Sequence, residues 1–383
     1  MTQLSNSDAP LRICLVAHAL RRQDGQGRVN FEVARAALER GHELTILAMV
    51  CADELLQHPR VCFVQTGSET LPTQLLRNIR FANQSARWLR KHRAKFDVIQ
   101  ANGFVTWEPA DVVAVHFVHT AWMQSPFFPF RGTKNPRDWY QYLYAWVNAR
   151  WEREAFRNAG EIVAVSRRTA REVKAISVTG KPVRVIYNGV DLAEFHPGTS
   201  CRSSFGLPED VPMALFVGDI QTPRKNLPTV LLSLQQIPEL HLAVAAAKEG
   251  SPYLAMADAL GLTKRVHFLG KTSRVSDLMR SVDLMVFPSR YEAHPLVVME
   301  ALACGLPTVV SSAIAQGEEF AAACILVDNA NDVDAIAREV RRLLADPLAR
   351  ADLSRLGQDV TSQLTWEHTG ADYVSIYEEL RKS

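Results

Sequence analysis

The sequence predicts an α/β protein of two domains, each a sheet of short buried strands with helices packed on it. Three observations carry this. Apolar runs of four to seven residues, such as 11–17 and 284–287, alternate with stretches of helical periodicity along most of the chain, the pattern that builds parallel sheets. The length, 383 residues, suffices for two cores of ordinary size. Between them, residues 195–212 hold Pro197, Gly198, Ser200, Ser203, Ser204, Gly206 and Pro208, the composition of a linker. A first domain is therefore expected at 1–195 and a second at 196–365, with a closing helical segment at 366–383.

Composition excludes several classes. Hydrophobic residues make up 47% and charged residues 22%, as in soluble globular chains. No stretch approaches the roughly 20 apolar residues that span a bilayer. The opening MTQLSNSDAPLR lacks the basic and apolar parts of a secretory signal, so a cytoplasmic location is expected, with any membrane contact peripheral. Six cysteines at 14, 51, 62, 201, 304 and 324 form no Cys-x-x-Cys pair, and neither a zinc site nor a disulfide framework is expected. The net charge is +2, but residues 1–195 carry 26 Lys+Arg against 18 Asp+Glu and the remainder 17 against 23. The basic first half suggests an anionic partner.

Within the first domain, residues 11–17 (LRICLVA) read as a strand buried on both faces. A polar loop at 18–26 leads into a helical pattern over 29–38. Gly25 and Gly27 in that loop, with Arg28 at the helix start, make a strand, glycine loop and helix suited to phosphate; an ordinary βα turn is the plain alternative. The loop lacks the full Gly-x-Gly-x-x-Gly spacing, which argues against a nicotinamide dinucleotide. Further strands are expected at 43–49, after a Gly41-His42 stop, and at 61–65, 96–100, 111–116, 162–166 and 183–187. Helical residues 71–95 carry Arg77, Arg80, Arg87, Arg90, Lys91, Arg93 and Lys95 with no acid: a solvated face, or a surface for anionic lipid. No recognition motif accompanies this charge, so nucleic acid is not an expected partner. The strand at 111–116 ends in His116, and His119 follows. Residues 122–146 are densely aromatic, from Trp122 to Trp146, able to stack on sugars, meet a membrane interface or fill a core.

In the second domain, a strand at 214–217 runs into Gly218-Asp219 and a loop ending Arg224-Lys225-Asn226. Strands at 242–247 and 266–269 follow. Residues 284–312, LMVFPSRYEAHPLVVMEALACGLPTVVSS, then read as strand, loop, helix and stop. Glu292 falls in the loop and Glu300 in the helix, at the carboxyl end of a strand, where open α/β sheets bind ligands.

Taken in order, Pro288-Ser289, Glu292, Glu300-Ala301, Ala303, Gly305 and Pro307 resemble the signature of the retaining nucleotide-sugar glycosyltransferases of family 4. The resemblance implies the GT-B fold: two Rossmann-like, doubly wound domains facing across a deep cleft, the first for the acceptor and the second for the donor. It also implies a C-terminal helix that crosses back to the first domain. Lys225, Asn188-Gly189-Val190-Asp191 and Thr365-Trp366-Glu367 match the family's pattern elsewhere.

By this resemblance, Glu300 accepts hydrogen bonds from the donor ribose, and Glu292 orients the donor sugar and favours its developing positive charge. Gly218, Arg224 and Lys225, with the N–H groups of Leu296 and Val297, face the diphosphate, and His294 is expected at the sugar. Either His116 or His119 is the histidine near the reacting carbon. Gly25, Gly27 and Arg28 match the family's first loop, at the donor phosphates or the acceptor. Two departures are visible: Asp219 stands where the family usually has arginine, and Ala293-His294-Pro295 where it has a small residue, an aromatic and a glycine. Proline offers no N–H.

The implied reaction moves a sugar from a UDP donor, or a GDP donor as second choice, to a sugar- or lipid-linked acceptor with retention of configuration. The acceptor's proton goes to the departing phosphate, and neither metal nor cofactor is expected. Asp332-Val333-Asp334 spells the carboxylate pair of metal-dependent sugar transferases but precedes a helix, so a capping role is expected. The basic first domain leans toward a cell-envelope product, such as lipopolysaccharide or a glycolipid, made at the inner face of a membrane. The alternative, motivated by Asp219 and Pro295, is a non-catalytic sugar-nucleotide-binding relative that serves as a subunit.

Overall fold

The computed structural model describes residues 9–22, 25–132, 135–176 and 180–382. The opening polar residues 1–8 and positions 23–24 of the first loop lie outside the described residues. The chain divides into two compact units, Met1–Asn188 joined by Trp366–Ser383, and Gly189–Thr365.

The first unit comprises β1 (Arg12–Val16), α1 (Gly25–Glu39), β2 (Glu43–Ala48), β3 (Val61–Gln65), α2 (Gln74–His92), β4 (Val98–Asn102), β5 (Val112–Val115), α3 (Pro136–Asn158), β6 (Glu161–Ala164), α4 (Arg167–Ile176) and β7 (Val183–Val185). These strands form one parallel sheet in the order β3-β2-β1-β4-β5-β6-β7. The order reverses between β1 and β4, which makes the sheet doubly wound and puts a ligand crevice at their carboxyl ends. Central β1 is buried at every position after Arg12, the reason its sequence is unbroken apolar, whereas edge strand β3 is only part-buried. Cys14, Val16, Leu47, Phe81, Ile99, Val113 and Phe156 meet in the core.

The first departure from expectation is at α1. Gly25 and Gly27 lie in its first turn rather than in a loop. That turn, Gly-Gln-Gly-Arg, has no apolar residue, so the periodicity that reveals a helix begins only at Val29.

The second unit repeats the plan with β8 (Met213–Val217), α5 (Leu227–Gln235), β9 (His241–Ala245), β10 (Val266–Phe268), β11 (Leu284–Phe287), α6 (Leu296–Ala303), β12 (Thr308–Ser311), β13 (Ile325–Val327), α7 (Val333–Ala345) and α8 (Pro347–Thr361). Its parallel order is β10-β9-β8-β11-β12-β13, with the switch between β8 and β11. Asp332 caps α7, its carboxylate accepting from Ala335 N at 2.9 Å. The stretch 195–212 is no free linker but is fastened to this unit. Buried Arg202 donates to Ser281 O (2.6 Å), Glu209 O (2.9 Å) and Val211 O (2.8 Å) and pairs with Asp283 at 2.9 Å. The break between units comes at Asn188-Gly189, ahead of the expected 195, and Val190 N is held by Leu364 O at 2.9 Å.

Helix α9 (Trp366–Lys382) completes the first unit. It packs on α1, where a Cβ at Gly370 would come within 2.4 Å of Ala36 Cβ, so glycine sets the closeness of the two helices. Tyr377 donates to Gln100 at 2.5 Å, Thr369 donates to Tyr187 O at 2.8 Å, and Arg40 pairs with Glu378 at 3.0 Å. No helix among the described residues is long and apolar enough to cross a membrane.

Candidate functional site

In the second unit, the loops that leave β8 and β11 meet at the switch point. Arg290 N donates to Arg224 O at 2.9 Å and its guanidinium to Pro223 O at 2.7 Å, which stitches one loop to the other. The first loop turns at Gly218, with φ +148°, a backbone that side-chain-bearing residues rarely adopt, and the Lys225 stem runs alongside, 3.4 Å from where a Cβ would stand. The loop ends at Asn226, the one non-glycine residue with positive φ among the described residues (+66°). Its fully buried amide donates to Pro288 O (3.1 Å) and Ala330 O (2.6 Å) and accepts from Thr229 Oγ1 (2.7 Å). Asparagine tolerates the left-handed region, and these three bonds hold it there at the start of α5.

Around this frame stands a buried charge cluster. Glu292 Oε1 lies 2.6 Å from Arg224 Nη1, 2.6 Å from Lys225 Nζ and 3.1 Å from Ser289 Oγ. Arg224 also donates to Tyr291 O at 2.8 Å, and Lys225 Nζ sits 4.8 Å above the Phe287 ring. Burial alone would raise the Glu292 pKa, but Arg224 and Lys225 hold it below the ordinary glutamate range. Burial lowers the Lys225 pKa, with Glu292 opposing. Two cations share one carboxylate, so the ionised cluster carries a net positive charge and suits an anion.

Four residues beyond Glu292, α6 begins. Its first bonds run from Val298 N and Met299 N to Pro295 O, so the N–H groups of Leu296 and Val297 precede the intrahelical ladder and present donors and a positive dipole end. Glu300 stands further along α6, half-buried, and is not among the charged partners of Glu292. His294 is buried, edge-on to Phe320 with ring centroids 5.8 Å apart, and burial drives its pKa down to about 3; it is a neutral, packed ring. Asp219 is exposed and its carboxylate accepts from Gln221 N at 2.8 Å, serving the turn.

Arg224, one of the residues expected at a diphosphate, contacts Glu292 and Tyr291 O, both in the loop that leaves β11. Sequence reasoning also passed over two residues. Ser289 belongs to the signature, yet its hydroxyl contact with Glu292 was not foreseen. Asn226 stands directly before Leu-Pro, and an Asn ahead of a proline in the first helical turn is a legible helix-start signal.

The first unit holds the other candidates. His116 follows β5, and its buried Nε2 makes no hydrogen bond among the described residues. His119 opens the short helix His119–Gln124 and packs edge-on to Phe117 and Tyr144, at 4.8 and 5.8 Å. Burial lowers both imidazole pKa values to about 4, so both are neutral at pH 7. Glu152, on α3, accepts from His119 N at 2.7 Å and Thr120 N at 2.8 Å. Burial raises its pKa to about 7 against these bonds. Arg28 lies over the Trp366 ring and pairs with buried Glu32 at 2.7 Å, while Gly25 and Gly27 are in the turn before it.

Comparison with known proteins bears on the family and the fold. Residues 23–194 match the Glycosyltransferase Family 4 model and residues 199–360 the Glycosyl transferases group 1 model. A D-inositol 3-phosphate glycosyltransferase of Mycobacterium leprae (strain Br4923) is 32% identical over 209 residues, 51% of this chain and 48% of the relative. The chain spans about half the length of the curated relatives it matches. Among solved structures, WaaG, a glycosyltransferase involved in lipopolysaccharide biosynthesis, superposes with a TM-score of 0.77 at 18% identity, over 95% of this chain and 99% of that one. Anabaena HepE, in complex with UDP-glucose, gives 0.67 at 18% identity, over 97% and 98%. Both carry the two-sheet GT-B fold found here. With consecutive family models matched over its two halves, the chain belongs to the family 4 glycosyltransferases.

Proposed function

We propose that the chain is a metal-independent hexosyltransferase that moves a sugar from a nucleotide-sugar donor to a glycoconjugate acceptor with retention of anomeric configuration. The observation that carries this reading is the Glu292–Arg224–Lys225 cluster at the carboxyl ends of β8 and β11, followed by the open N-terminus of α6. A diphosphate leaving group needs its developing charge met, and a buried lysine, an arginine and free helix N–H groups do that without a divalent ion. As the anion arrives, it competes with Glu292 for the two cations. The carboxylate so released serves the oxocarbenium character that grows on the donor sugar. Glu300 takes the ribose hydroxyls. Of the two histidines, His116 is the better candidate for a donor-sugar contact, because its Nε2 has no hydrogen-bond partner among the described residues and His119 is packed between aromatic rings.

UDP is the preferred donor nucleotide, supported by the HepE complex with UDP-glucose. A lipid- or sugar-linked envelope acceptor, as in lipopolysaccharide assembly, is supported by the likeness to WaaG and by the basic first half. The relatives named for D-inositol 3-phosphate make a phosphorylated polyol the second acceptor to try.

The first test is a thermal-shift panel with UDP-, GDP- and ADP-sugars on the wild type and on Glu300→Ala. A donor at a hundred times its Kd stabilises by about 2.7 kcal/mol, a rise of about 5 °C or more for a unit of this size. One nucleotide class should give this shift, and the variant should lose it. Turnover of that donor with acceptor present, followed by NMR of the new anomeric bond, then tests retention. Binding without transfer or hydrolysis would favour the non-catalytic subunit that Asp219 and Pro295 suggest, and no shift with any donor would count against both readings.

A further inference from the structure

Glu152 is a buried carboxylate of the first unit that the chemistry above does not use. It sits on α3, 4% exposed, and its two oxygens take two consecutive backbone donors: Oε2 accepts from His119 N at 2.7 Å and Oε1 from Thr120 N at 2.8 Å. Arg153, the neighbouring charge, is exposed and makes no ion pair with it among the described residues. Burying a carboxylate without a counter-ion is costly, and a Ser, Thr, Asn or Asp at the N-cap would serve such donors without that cost. The N-cap of the short helix His119–Gln124 is instead Val118, which has no side-chain oxygen to offer and is fully buried in the core. The cap is therefore supplied from another helix.

This arrangement brackets the segment that carries His116. On its amino side, β5 ends at Val115, which pairs with Ala164 of β6, and Val165 N donates to Val115 O at 3.4 Å. On its carboxyl side, Glu152 holds the two amides that follow Val118. Only residues 116–118 lie between these anchors, and Val118 is itself seated in the core. The buried Nε2 of His116 makes no hydrogen bond among the described residues, so the backbone anchors, rather than a bond at that nitrogen, set its place.

We infer that Glu152 is a positioning residue for sugar transfer: by fixing the amides of His119 and Thr120, it sets where His116 meets the donor sugar. The inference rests on the reading of His116 given above. A carboxylate suits the task because two adjacent N–H groups need an acceptor on each oxygen; the amide of a glutamine would keep one acceptor and turn its own NH2 on the other N–H. Both oxygens are taken up by the main chain, so Glu152 acts through the loop and not on the substrate. Its effect is on geometry, where a displacement of about 1 Å can cost a hundredfold in rate.

The test uses the full chain at pH 8, above the carboxyl pKa of about 7, with UDP-glucose as the donor probe. In Glu152→Ala, kcat for UDP release should fall roughly tenfold to a hundredfold, while Kd for UDP stays within about twofold, because the diphosphate cluster lies in the second unit. Glu152→Gln keeps one acceptor oxygen and should lose less. Glu152→Ala/His116→Ala should be no slower than His116→Ala, since Glu152 acts through that ring. Histidine-labelled NMR needs no turnover: the His116 ring signal, identified by its loss in His116→Ala, should move in Glu152→Ala. If that variant does not fold, the isosteric Glu152→Gln carries the same comparisons. An unmoved His116 signal in the folded variant, an unchanged kcat, or losses that multiply in the double variant would each overturn the assignment and leave Glu152 a helix cap alone. A wild type silent towards UDP-glucose would count against the transferase reading, and the ring signal would still decide whether Glu152 holds His116 in place.

Discussion

Replacing Glu292 by alanine should destabilise the second unit by about 3–5 kcal/mol, the cost of breaking a buried ion pair from one side. The buried regime applies because the side chains of Glu292, Lys225 and Arg224 are only 12%, 13% and 23% exposed. The loss falls mainly on Lys225. Its stem is confined beside Gly218 and its ammonium over Phe287, so it cannot swing to water as a surface lysine does. Arg224 keeps its bond to Tyr291 O. At about 2–4 °C per kcal/mol for a unit of roughly 150–250 residues, the melting temperature should fall by about 6–20 °C without ligand.

Urea denaturation of wild type, Glu292→Ala, Lys225→Met and the double variant gives the coupling. The double variant should recover at least about 1 kcal/mol relative to the sum of the singles, because methionine leaves no ammonium behind. The pH dependence has a definite sign. Since the folded pKa of Glu292 is depressed, its stabilisation is present above the unfolded value of about 4.3 and is lost as pH falls through the lower folded value. The acid limb of the stability curve should therefore be shallower in Glu292→Ala. A loss under about 1 kcal/mol in the single variant, or strictly additive singles, would refute the shared-carboxylate account.

Two further outcomes follow from features around the sites. Asn226→Gly and Asn226→Ala both abandon the bonds to Pro288 O and Ala330 O, at about 2–4 kcal/mol for two buried carbonyls. Alanine adds about 1 kcal/mol for its Cβ in the left-handed region, so chemical denaturation should place it below glycine; equal values would mean that φ is not the constraint. In the first unit, the raised Glu152 pKa, about 7, predicts stability that is full below about pH 4.3 and declines as pH rises through 7. Glu152→Gln cannot ionise and should flatten that decline, read as the difference between urea midpoints at pH 5 and pH 8.

Both sheets were readable because parallel strands buried on both faces must be written as short apolar runs, and residues 11–17, 111–116 and 284–287 are such runs. The loop and helix after 284–287 were readable for a different reason: Pro288-Ser289, Glu292, Glu300, Gly305 and Pro307 stand in the order of a family signature. Legibility failed where no periodic apolar signal exists. The first turn of α1 has none, and α3 carries aromatic rings on both its buried and its exposed faces, with Phe156 in the core and Trp139 in solvent, so its apolar residues do not mark out the buried side. Partner choice among long side chains was also hidden. Arg224 and Lys225 are adjacent in sequence, yet only the folded loops put both on the same Glu292 oxygen. The composition of 195–212 suggested a linker; the guanidinium of Arg202, reaching three carbonyls and a carboxylate, ties it to the second unit.

Because α9 belongs to the first unit while Gly189–Thr365 intervenes, the order of synthesis and the order of completion are inverted. On the ribosome, the second unit has all its residues before the first has the helix that covers α1 and meets Gln100 of β4 through Tyr377. Until Trp366–Lys382 emerges, the nascent first sheet must wait with that flank bare, the kind of exposed intermediate that chaperones shield. A premature stop after Thr365 would thus leave the second unit whole and damage the domain translated first.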